Sequence, residues 1–120
     1  MSKDEMRTLL AEQMARFRAW SYAQLAAKIE PDWRKRSHFE FVEGVAPDGT
    51  KYIMEFDVLW DDKPQGDIRL LGSLYAFPQR PLWGFLPIYR PDVGDDFIMA
   101  PDGRFVGEDD AESGTARALQ

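Results

Sequence analysis

A chain of 120 residues with 44% hydrophobic and 13% aromatic side chains has the profile of one folded domain around a single core. Its lack of cysteine excludes disulfides, thiolate metal sites and cysteine nucleophiles, and its single histidine excludes multi-histidine centres. The net charge of −6 is concentrated after residue 36, where sixteen acidic side chains face seven basic ones, so no nucleic-acid partner is expected.

The opening Met1-Ser2-Lys3-Asp4-Glu5 is too polar and acidic for a secretory signal. No apolar run approaches the roughly 18 residues of a membrane span. A cytoplasmic location without membrane contact is therefore expected. Ser2 with Glu5 has the spacing of a capping box, and Asp4 and Glu5 suit the first turn of a helix. Met6, Leu9, Leu10, Met14 and Phe17 follow at helical spacing. Ser21 with Gln24 repeats the start signal, and Tyr22, Leu25, Ala26 and Ile29 continue the stripe until Pro31. One long kinked helix is the alternative, but two start signals favour a bend near Trp20-Ser21. Arg34-Lys35-Arg36 is the only dense basic cluster, too short for a nucleic-acid or membrane footprint.

From Ser37 the period becomes two. Phe39, Phe41 and Val45 alternate with His38, Glu40 and Gly44; Tyr52, Met54, Phe56, Val58 and Trp60 alternate with Lys51, Glu55 and Asp57. Ile68, Leu70, Gly72, Leu74 and Ala76 alternate with Asp67, Arg69, Ser73 and Tyr75, so three strands each have a core face and a mostly polar face. Residues 61–66 form the loop between the second and third. The tetrapeptide Ala-Pro-Asp-Gly occurs at 46–49 and again at 100–103, each copy between strand-forming runs. Proline pre-sets φ, aspartate bonds back to the backbone and glycine takes positive φ, so each copy marks a hairpin tip. Matching Phe41 to Phe56 on one face requires Ala46 opposite Lys51 across a four-residue loop. The commoner three-residue loop sets Phe41 opposite Glu55. The apolar match favours the longer loop.

After Phe77, Pro78, Pro81, Pro87 and Pro91 confine any strand to a sheet edge. Asp96–Met99 and Arg104–Val106 are expected to close a short hairpin. The chain thus reads as one α+β domain over residues 1–107 with an acidic tail over 108–120, expected to be disordered. A helical segment followed by a curved antiparallel meander is the order found in cystatin-like and NTF2-like folds. The likeness is one of architecture only and carries no functional residue across.

The polar sheet face is the first candidate site. His38, Glu40, Glu55, Asp57, Arg69, Ser73 and Tyr75 are expected to point the same way, with Glu40 opposite Asp57 and Arg69 near enough to compensate them. In a pocket, His38, Glu40, Glu55, Asp57, Arg69 and Tyr75 supply ligand-binding and acid–base groups; on a flat face they are ordinary ion pairs. His38-Phe39-Glu40 matches only the first half of a zinc deaminase motif, and without cysteine it cannot be completed. The pairs Asp61-Asp62, Asp95-Asp96 and Asp109-Asp110 lack EF-hand spacing, and there is no phosphate loop or nucleophile elbow. No metal and no cofactor are expected. The second candidate is the Pro-aromatic stretch, where Trp83, Phe85 and Tyr89 either anchor a partner or cap the core. These features favour a non-catalytic protein-binding module, inhibitor- or immunity-like or self-associating. The alternative is a small-molecule pocket between helix and sheet with carboxylate and tyrosine acid–base activity.

Overall fold

Two reciprocal capping boxes divide the helical region of the computed structural model, which describes residues 1–77 and 91–108. The Ser2 side chain accepts the Glu5 N–H while the Glu5 carboxylate accepts the Ser2 N–H, and Ser21 and Gln24 repeat the exchange. Each box satisfies two N–H groups that a helix start otherwise leaves open. The result is two helices, α1 (Lys3–Arg18) and α2 (Tyr22–Ala26), with the bend that the paired signals predict. A 3-10 turn, Trp33–Lys35, contains part of the basic cluster and leads into the sheet.

The sheet has four antiparallel strands in chain order: β1 (Glu40–Val45), β2 (Lys51–Trp60), β3 (Ile68–Phe77) and β4 (Val93–Met99). Met6, Leu10, Met14 and Phe17 of α1 and Leu25 of α2 are buried with Met54, Phe56, Val58, Ile68, Leu70, Leu74, Phe97 and Met99 of the sheet. The Phe17 ring stands 4.8 Å from Phe56 and 5.3 Å from Phe39. Gly72 lies beneath this contact. A Cβ there would come within 2.9 Å of Met14 Sδ and of the Phe56 ring, so the close approach of helix and sheet requires glycine. The architecture is α+β, an N-terminal helical layer on one face of an open antiparallel sheet. Among the described residues no helix covers the other face.

The repeated tetrapeptide makes the same turn twice. Ala46 donates its N–H to Thr50 and accepts from Gly49, both at 2.8 Å; Ala100 does the same with Arg104 and Gly103 at identical distances. Asp48 and Asp102 each accept the N–H two residues on at 3.0 Å, and Gly49 and Gly103 have φ near +90°. The first loop therefore has three residues, not four. Val45 pairs with Lys51, Phe41 with Glu55, and Glu40 with Phe56 rather than Asp57. Turn chemistry overrode the apolar match.

The core accommodates this register through one irregularity. Phe39 donates its N–H to the carbonyl of Phe56, the residue Glu40 opposes, so two residues face one as at a β-bulge. Phe39 consequently stays on the helix side, as expected, while Phe41 turns outward. β4 starts at Val93, earlier than expected, and a bridge from Met99 to Phe105 closes the second hairpin. The tail beyond residue 108 lies outside the described residues.

Candidate functional site

The open face is built from alternate residues of the strands. Phe41, Glu43 and Val45 of β1 lie opposite Glu55, Ile53 and Lys51 of β2, which in turn oppose Ser73, Tyr75 and Phe77 of β3. One residue before the bulge, His38 joins this face. Its Nδ1 lies 2.7 Å from Asp57 Oδ1 and its Nε2 3.2 Å from Glu55 Oε1. The Phe41 ring meets the imidazole edge-on at a centroid distance of 5.3 Å. Burial, then the charge of Glu55 and a hydrogen bond to it, then the charge of Asp57, raise the Tyr75 phenol above its ordinary value.

Four of the six expected polar groups therefore come together: His38, Glu55, Asp57 and Tyr75. Glu40 does not join them. The register turns it to the helix side, where its carboxylate pairs with Arg16, so no Glu40–Asp57 repulsion exists for Arg69 to relieve. Arg69 sits further along β3, opposite Leu59 and Ile98, and pairs with Asp61 at 2.8 Å and with Asp96. Those two carboxylates, Asp61 above all, raise its pKa and hold the charge in place.

The chemistry of the cluster is limited by its own contacts. Both imidazole nitrogens face carboxylates, Nδ1 that of Asp57 and Nε2 that of Glu55. The cluster also lies on the sheet face opposite α1, so a pocket between helix and sheet cannot contain it. Among the described residues no group of three or more His, Cys, Asp or Glu is placed to hold a metal ion.

Sequence patterning missed the apolar part of this face. Phe41 is 55% exposed, Val45 63% and Phe77 41%, although Phe41 and Val45 were expected in the core. The preference for a three-residue Pro-Asp-Gly loop was the available signal. A groove of about 520 Å³ runs past Glu43, Val45, Lys51, Ile53 and Phe77 at the hairpin end. The expected interface residues Trp83, Phe85 and Tyr89 lie outside the described residues. No helix among the described residues is long and apolar enough to cross a membrane. The chain matches no known protein family, no curated protein and no solved structure.

Proposed function

We propose that the protein is a non-catalytic binding module that engages a protein partner through the open face of its sheet. One observation carries the reading. Of the five large hydrophobics most exposed among the described residues, Phe41, Val45 and Phe77 share this face, beside Glu43, Glu55 and Asp57. Scattered exposed hydrophobics are ordinary, whereas several on one face, rimmed by charge, are typical of interaction surfaces. The His38 cluster fits the same role: its contacts fix the polar side chains beside Phe41, reducing the ordering cost of binding. Phe77 also leads directly into the stretch that contains Trp83, Phe85 and Tyr89.

For a small-molecule reading built on the His38 cluster, the relevant cleft is the one that Asp57 borders, about 220 Å³ with a lining that includes Lys28, Glu30, Arg36 and Asp57. Its volume falls below the roughly 300–1,000 Å³ usual for ligand sites, and only Asp57 of the cluster reaches it. The partner surface is the stronger reading.

Capture from a lysate of the source cell tests it. The wild-type chain is expected to retain a stoichiometric protein that a Phe41→Ser/Phe77→Ser variant, shown to be folded, loses. Equal retention by both, or no captured protein, would overturn the reading.

A further inference from the structure

Among the described residues, no strand pairs with the outer edge of β1. In the β1–β2 ladder, the Ala46–Thr50 and Phe39–Phe56 bonds place the even-numbered residues of β1 in the hydrogen-bonded pairs. The N–H and C=O groups of Phe41, Glu43 and Val45 therefore point away from β2. No hydrogen bond to these groups exists elsewhere in the described chain. β1 also lacks the lysine or proline that commonly blunts an edge, and its one inward charge, Glu40, is paired with Arg16. The opposite edge differs: Phe105 bridges Met99, and Val106 donates its N–H to Ile98.

We propose that this edge adds one antiparallel strand from the partner protein, an extended segment with lysine or arginine between two apolar residues at alternate positions. The inference rests on the binding-module reading and deepens it. Three residues supply three N–H and three C=O groups, enough to hold a strand of about five residues by main-chain bonds. On the open face, such a strand places its apolar residues opposite Phe41 and Val45 and its basic residue opposite Glu43. Glu43 has no ion pair among the described residues, so the incoming cation meets an unneutralised carboxylate. A second copy fits worse. Antiparallel self-pairing that matches Phe41 with Val45 sets Glu43 against Glu43 of the second copy, and like charges directly opposed are destabilising. The net charge of −6 on each chain adds to that repulsion.

The test uses cyclic β-hairpin peptides that present Val-Thr-Lys-Thr-Val or Val-Thr-Glu-Thr-Val on one strand. Each is titrated into the labelled full chain, wild type or Glu43→Lys. The lysine hairpin is expected to shift the amides of Phe41, Glu43 and Val45 and slow their hydrogen exchange. Binding should weaken roughly three- to tenfold for the glutamate hairpin and for Glu43→Lys, and recover when those two changes are combined. Equal affinity for both hairpins, or shifts confined to other strands, would overturn the proposal. Slowed exchange at the three amides without peptide, growing with protein concentration, would name a second copy as occupant and overturn it too. If neither hairpin binds while the lysate partner is still captured, the edge is wrong and the binding-module reading stands. If no lysate partner is captured either, both fall.

Discussion

On one face of the sheet, Phe56 lies under α1, closed to water and tilted against Phe17; on the other, Phe41 is more than half exposed and meets His38 edge-on. The two side chains are the same size and lie on neighbouring strands. What separates them is the layer above. Burial under α1 turns Phe56 into folding free energy, while exposure leaves Phe41 able to contribute the same kind of energy to an interface. Hydrophobic residues in strands thus do not by themselves mark the core. Register decides which face each reaches.

The largest effects are expected on the covered face. Phe56→Ala should lose about 3–5 kcal/mol of unfolding free energy, because it leaves a cavity between Phe17 and Met14. Phe41→Ala should change stability by no more than about 0.5 kcal/mol. Urea denaturation of both variants checks the contrast, and equal losses would mean the faces are not distinct. Gly72→Ala sharpens the same comparison from the packing side. The added methyl meets Met14 and Phe56 at 2.9 Å, for an expected cost of about 1–3 kcal/mol. A stable Gly72→Ala chain would show that the helix can lift off the sheet without penalty.

The smallest effect probes the open face. Since folding raises the Tyr75 pKa, the neutral phenol is favoured in the folded chain. Its contribution to stability is fully present below the ordinary value of 10.0 and is lost as pH rises through the folded value. In a phenolate absorbance titration, Tyr75 should ionise in a step above the ordinary value of 10.0. Tyr75→Phe should remove that step, and Glu55→Gln should move it back toward 10.0. A late step unchanged by Glu55→Gln would detach Tyr75 from the cluster.

Much of the scaffold was legible because its signals are local. Ser2 with Glu5, and Ser21 with Gln24, each close a capping box within four residues, and each Pro-Asp-Gly copy determines its own turn. The site was less legible because it depends on register. Apolar patterning favours matching Phe41 to Phe56, yet the turn sets the pairing and a bulge at Phe39-Glu40 keeps Phe39 packed against the core. Period-two patterning contains no mark for an extra residue, so it sent Glu40 to the wrong face. The start of β4 was missed for a related reason. The expected strand begins only at Asp96, but an edge strand can carry glycine and exposed acids, and the backbone of Val93, Gly94 and Asp95 pairs with Leu74, Ser73 and Gly72.

The most direct measurement of the central claim is amide shift mapping of the labelled chain as the captured partner is added. The account predicts that perturbed amides cluster at Phe41, Glu43, Val45, Glu55, Tyr75 and Phe77, with the outer surface of α1 unchanged. Perturbation centred on α1, with those strand positions silent, would contradict it.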